Sequence, residues 1–90
     1  KGSFFASYSR TGNKAPLIKD FYAKDGAVFL DCSPCDRIYF KSNGSQKPFY
    51  NHGGAFFTHA EWNLDKCREY IYAACVDADG NISWTQPILL

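Results

Sequence analysis

The density of aromatic side chains is the sequence feature that most constrains the fold. Eight Phe, six Tyr and two Trp make up 18% of the 90 residues. Aromatic side chains fit the pleated, half-buried surface of a sheet and are enriched in strands. A chain of this length has a small core, because it buries only about 60–65% of the surface that its unfolded form exposes. We therefore expect residues 1–90 to form one β-rich domain whose core is filled with rings.

Charge and hydropathy exclude several classes of protein. Ten Lys and Arg residues oppose nine Asp and Glu, a net charge of +1, so a strongly basic surface for nucleic acid is not expected. The longest apolar run, residues 71–76, is much shorter than the roughly 18–20 residues of a membrane-spanning helix. These features argue against membrane binding and against nucleic-acid binding, and we also expect the protein to be a monomer.

Turn-forming residues divide the chain into short segments. Asp25-Gly26 and Asn43-Gly44 favour tight turns, and Asp77–Gly80 predicts a hairpin near the C-terminus. Leu17–Tyr22 has apolar residues at helical spacing, which predicts a short helical segment. The segments with strand character are 4–9, 27–31, 36–42, 47–50 and 81–85. Pro48 restricts the fourth of these to a strand edge or a strand start.

Residues 58–76 have two interpretations. As a helix, they begin with a capping box at Thr58–Glu61 and carry an apolar stripe from Ala60 to Ala74. As strands, they alternate on both sides of a turn at 63–66 and lead directly into the hairpin at 77–80. The fold prediction is a small antiparallel β-sandwich of about six strands, stapled by disulfides. The alternative is an α+β fold with a helix near 58–75.

Four cysteines in a short chain that contains no Met indicate a processed, secreted protein with disulfides. The spacing is C-x2-C at Cys32 and Cys35, then C-x7-C at Cys67 and Cys75. A zinc ribbon needs a second C-x2-C, and a redox C-x2-C needs a following helix, whereas residues 36–40 have a strand pattern. Two structural bridges are expected, each closing a loop of about 32–43 residues and stabilising the fold by roughly 3–4 kcal/mol. The sequence does not determine which cysteines pair. The segment from Cys32 to Cys35 is expected to form a tight corner. No metal or cofactor is expected.

The segment Asp36–Phe40, followed by His52, resembles the Asp-Arg-Ile strand and downstream His of barnase-type microbial ribonucleases. The resemblance implies that Arg37 holds a phosphate and that His52 is a general acid. With His59 and Glu61 these residues form a conceivable acid–base set for RNA cleavage. A small secreted ribonuclease-like toxin is therefore one alternative function.

Residues 55–90 contain a strand, a polar turn ending in Cys67, a second strand, an Asp-Gly hairpin and a last strand with Trp84. This succession resembles the C-terminal half of the MAX-type effectors of blast fungi, which are secreted avirulence proteins with a six-stranded β-sandwich. The resemblance implies a similar sandwich in which Cys32 or Cys35 is the partner of Cys67. It also implies that the protein binds host proteins by pairing exposed strand edges.

The leading functional hypothesis is a secreted virulence effector that binds a host protein and is not an enzyme. Exposed strand edges supply affinity through backbone groups, and alternate side chains supply specificity. Tyr39 and Lys41 are candidate partner contacts if strand 36–42 is exposed, and Phe49, Tyr50 and His52 form a second candidate group. A secreted inhibitor or a lectin-like binding module is the remaining alternative.

Overall fold

A computed structural model describes residues 4–8, 15–50 and 56–90, apart from the side chains of 4–8, Tyr50 and Lys66. The strands are β1 (Phe4–Tyr8), β2 (Ile18–Lys24), β3 (Ala27–Cys35), β4 (Arg37–Ser42), β5 (Ser45–Tyr50), β6 (Phe57–Asn63), β7 (Tyr70–Val76), β8 (Ile82–Thr85) and β9 (Ile88–Leu89). One 3-10 turn covers Leu64–Lys66. The predicted all-β fold is confirmed, and the alternative helix near 58–75 is wrong. In the described ranges no helix is long and apolar enough to cross a membrane.

The strands form two antiparallel sheets. Sheet A has the order β1-β8-β7-β4-β5, with β9 beside β7, and sheet B has the order β2-β3-β6. The described part of the chain thus contains nine strands, where about six were predicted. Side chains from both sheets form one core, because each sheet buries one face against the other. The fully or almost fully buried residues of this core are Ile18, Phe21, Val28, Leu30, Cys32, Cys35, Ile38, Phe40, Ala60, Ile71, Ala73 and Cys75.

The predicted turns join the strands as expected. Asp25 and Gly26 take φ values of 52° and 80°, the left-handed pair that a two-residue hairpin turn requires. Asn43-Gly44 joins β4 to β5, and the turn at 77–80 joins β7 to β8. These short connections keep β2 with β3, β4 with β5, and β7 with β8 as neighbours.

Two local predictions are wrong, one in β2 and one at the end of β3. Leu17–Tyr22 is not helical: Ile18 and Phe21 face the core from β2, while Leu17 and Tyr22 are exposed. The pairing register shifts between Ile18 and Asp20. This irregularity places buried residues three apart, which is the spacing of a helix. Cys32–Cys35 is likewise not a corner, because β3 continues to Cys35 and the bend lies at Asp36.

Candidate functional site

The bend at Asp36 carries the chain from one sheet to the other. Strand β3 of sheet B ends at Cys35, and β4 of sheet A begins at Arg37. The backbone N–H of Asp36 donates to the carbonyl of Val76 at 2.8 Å, which fixes the bend against β7. The end of β3 is therefore held beside the end of β7.

Three cysteines meet at this bend and form what we call the core cysteine cluster. The Sγ atoms of Cys32, Cys35 and Cys75 all lie within 4.8 Å of one another, and 3.8 Å separates those of Cys32 and Cys35. Each of the three residues is at most 1% exposed. All of them are free thiols in this structure, as is Cys67.

The thiols of the cluster perturb one another. Hydrogen bonds from the thiols of Cys35 and Cys75 lower the pKa of Cys32. The contact with Cys32 raises the pKa of Cys35, and contacts with both neighbours together with burial raise the pKa of Cys75. Cys32 is therefore the thiol of the cluster that loses its proton most readily.

Cys67 lies apart from the cluster. Its thiol is close to Ser42 and lies 3.8 Å from the carbonyl of Asn63. Ser42 is four residues along β4 from Ile38, which pairs with Cys75, and a strand rises about 3.3 Å per residue, so roughly 13 Å separates the two positions. Cysteines whose Cα atoms are more than about 7 Å apart cannot be bridged without backbone movement. The predicted bridge to Cys67 does not fit this arrangement, whereas a bridge within the cluster stays a prediction.

His59 lies on the outer face of sheet B between two carboxylates. Its Nδ1 is 2.7 Å from Asp31 Oδ1, and its Nε2 is 3.2 Å from Glu61 Oε2. Hydrogen bonds to Asp31 and then Glu61 raise the pKa of His59 above its ordinary value of 6.5. Because both ring nitrogens are engaged, this histidine is poorly placed to accept a proton from a substrate.

The candidate ribonuclease residues are not assembled in the described part of the chain. His59 and Glu61 are in contact, but Arg37 lies in sheet A, where its Nε is 3.5 Å from Asp36 Oδ2. His52 lies outside the described residues. Sequence reasoning missed Asp31 as the second partner of His59, because that pairing depends on the register between β3 and β6.

The outer face of sheet A carries a group of rings that we call the aromatic face: Tyr39, Tyr72 and Trp84, with Lys41 and Gln46 beside them. These five residues line a shallow concavity of about 290 Å³. The three rings are half-buried, while Lys41 and Gln46 are exposed. Tyr39 and Lys41 therefore face outwards as predicted, and the sequence did not show that Tyr72 and Trp84 would join them.

The second group of predicted partner contacts lies elsewhere. The ring of Phe49 packs against the core, with centroids 6.0 Å from Phe40 and 6.1 Å from Phe57. Its partner in the register is the buried Ile38, so it belongs to the inner face of sheet A. The side chain of Tyr50 and all of His52 lie outside the described part of the structure.

Two of the strand edges are blunted. Strand β4 lies between β5 and β7, so residues 36–42 do not form an exposed edge. In the β4–β5 hairpin, the backbone nitrogen of Pro48 faces away from β4, towards the open edge of β5. Proline has no N–H, so the edge lacks a hydrogen-bond donor at this position. On β2, Asp20 Oδ1 accepts the backbone N–H of Phe21 at 3.0 Å. A proline at an outward position, or a side-chain oxygen that accepts an outward N–H, takes away a donor that an added strand would use.

The edge of β6 is open by comparison. Leu64 N–H donates to the carbonyl of Gly26 at 2.9 Å and continues the β3–β6 ladder. Along a strand, the N–H and C=O groups of consecutive residues point to opposite sides. Because those of Leu64 face β3, the groups of Ala60 and Trp62 also face β3, and those of His59 and Glu61 face away from it. Among the described residues, neither a proline nor a side-chain cap covers these outward groups.

Comparisons with known proteins do not place this chain in a family. No protein-family model, no curated protein and no solved structure matches it.

We expect the imidazole of His59 to titrate above pH 6.5. Asp31→Asn should move the NMR titration midpoint down towards that value, and Glu61→Gln should move it less, because Asp31 is the closer partner. Because the pKa of His59 is higher in the folded state than in the unfolded state, its protonation stabilises the fold at pH values below the unfolded-state pKa. This contribution is lost as the pH rises through the folded-state pKa. The stability difference between the wild type and His59→Gln should therefore shrink as the pH rises from about 6. A midpoint that neither substitution changes contradicts this placement of His59.

Proposed function

We propose that this protein is a secreted, effector-type binding protein that recognises a host protein by strand addition at the edge of β6. The observation that carries the proposal is the open edge at His59 and Glu61, which contrasts with the blunted edges of β2 and β5. In strand addition, an extended segment of the partner pairs with exposed backbone groups, and side-chain contacts select the sequence.

The outward backbone groups give the affinity. His59 and Glu61 each turn one N–H and one C=O away from β3, so a partner strand can form four backbone hydrogen bonds with them. Because these groups belong to a strand that is already paired on its other side, the partner meets a preformed edge. Little conformational entropy is then lost from this protein on binding.

The side chains beside the edge give the selectivity. Asp31, His59 and Glu61 form a row on the outer face of sheet B, in contact through the histidine ring. With His59 protonated, the three groups carry a net charge of −1 from two carboxylates and one imidazolium. A partner strand with Lys or Arg opposite Glu61 is therefore favoured over one with an acidic residue there.

The sequence supports the host as the source of the partner. Residues 55–90, which include β6, are the part that resembles the MAX-type effectors, and that resemblance implies recognition of host proteins by edge pairing. The same resemblance implies that the protein is secreted. The predicted partner contacts Tyr39 and Lys41 lie on the other sheet, so they are not part of this interface.

Glu61→Pro tests the proposal, because it removes one outward N–H while leaving the ladder to β3 intact, as Pro48 does on β5. Glu61→Gln is the matched control, since it changes the side-chain charge but keeps the N–H. We expect Glu61→Gln to lose only the contribution of the side-chain charge, and host proteins to bind Glu61→Pro at least about tenfold more weakly than Glu61→Gln, the equivalent of about 1.4 kcal/mol.

Circular dichroism is used to check that both variants remain folded. The contact is then mapped by adding the purified partner and measuring amide exchange, which should slow at His59 and Glu61. A partner that binds Glu61→Pro as tightly as the wild type, or that protects other strands instead, rules out recognition at the edge of β6.

A second candidate function is carbohydrate binding at the aromatic face. The specific observation is that Tyr39, Tyr72 and Trp84 share one shallow concavity with the exposed polar groups of Lys41 and Gln46. Tyr and Trp combine an apolar ring with a polar atom, which suits a ligand with both C–H faces and hydroxyls. This arrangement favours the lectin-like alternative over an inhibitor.

Trp84→Ala tests the carbohydrate candidate in a panel of oligosaccharides. We expect the wild type to bind at least one glycan, and Trp84→Ala to weaken that binding by about tenfold or more, since aromatic anchors dominate such contacts. Tyr22→Ala is the matched control, because Tyr22 is an exposed ring on sheet B. Equal losses in both variants, or no glycan binding across the panel, contradict this function.

A further inference from the structure

We propose that the core cysteine cluster is a three-thiolate site for a soft monovalent metal ion, Cu(I). The site consists of Cys32 and Cys35 on β3 and Cys75 on β7. This inference does not rest on the proposed partner binding, because the cluster is buried between the sheets and the β6 edge is on the surface. It replaces the disulfides expected from the sequence, because the three thiols must stay reduced to bind the ion.

The spacing of the sulfurs suits shared coordination. A metal–sulfur distance of about 2.3 Å places the sulfurs of neighbouring ligands roughly 3.8 to 4.0 Å apart. The Sγ atoms of Cys32 and Cys35 are 3.8 Å apart, and all three sulfurs lie within 4.8 Å. Small rotations of the side chains are therefore enough to bring the three sulfurs around one ion.

The number of sulfurs favours a metal over a disulfide. A bridge within the cluster uses two of the three thiols and leaves the third buried and unpaired. Cys67 cannot pair with that third thiol, since it lies near Ser42 at the far end of β4. One metal ion engages all three sulfurs together.

The coordination number favours Cu(I) over zinc. Thiolates select soft metals such as Cu(I) and zinc, but zinc in structural sites almost always takes four ligands. Among the described residues, no fourth His, Cys, Asp or Glu joins the cluster. Each cysteine is at most 1% exposed, so water has little access as a fourth ligand. A three-coordinate ion is the better match.

Loading is a ligand exchange without electron transfer. Each thiol that becomes a ligand loses its proton to the solvent as a Cu–S bond forms, and copper enters and remains as Cu(I). Uptake should therefore strengthen as the pH rises. Because the three ligands come from both sheets, an ion that binds only the folded state also raises the unfolding temperature.

The test titrates the full chain with Cu(I) under anaerobic, reducing conditions against a chromophoric Cu(I) chelator. We expect one Cu(I) per chain and sulfur-to-copper charge-transfer absorption. Cys75→Ser should weaken binding by more than about 100-fold, beyond the range seen when only an outer-shell partner is lost. Cys67→Ser is the matched control and should bind as the wild type does.

X-ray absorption at the copper edge of the loaded wild type tests the site without a substitution. We expect three sulfur neighbours and no nitrogen or oxygen. The proposal is overturned if Cys67→Ser weakens binding as much as Cys75→Ser, if the wild type binds no more tightly than Cys75→Ser, or if the shell contains nitrogen or oxygen. A disulfide between two cluster cysteines in protein from its natural source also overturns it.

Discussion

The change of sheet at Asp36 is the constraint on which the rest of this structure depends. One residue separates β3 of sheet B from β4 of sheet A. Its N–H bond to Val76 holds the bend against β7, which puts β4 beside β7 and inside sheet A. The same bend brings Cys35 next to Cys75 in the core. Strand order and the cysteine cluster therefore share one local cause.

The strand order decides which surfaces can recognise a partner. With β4 in the interior, the edge strands with described side chains are β2, β5, β6 and the two-residue β9, and the three longer ones are β2, β5 and β6. Pro48 and the Asp20 carboxylate reduce the donors available on two of these edges. Open strand edges invite pairing with other chains, and proteins commonly protect them. The outward N–H groups of β6 are available to a partner, whereas β2 and β5 each lack one such donor. This difference is the physical basis of the proposed function.

Local patterns predicted the elements better than their arrangement. The alternation of Ile38 and Phe40 and the Asn43-Gly44 turn predicted β4 and its hairpin, because the hairpin register depends on nearby residues. Strand β2 was missed since an irregularity after Ile18 gave its buried residues helical spacing. The interior position of β4 and the contact of His59 with Asp31 depend on partners distant in the sequence, which local spacing does not reveal.

Residue-resolved amide hydrogen exchange on the free protein tests the open edge of β6 most directly. We expect slow exchange at Ala60 and Trp62, whose N–H groups face β3, and fast exchange at His59 and Glu61, whose N–H groups face away. This alternation within four consecutive residues does not arise from general flexibility of the strand. Equal protection at all four amides, or protection of His59 and Glu61 alone, would contradict the account.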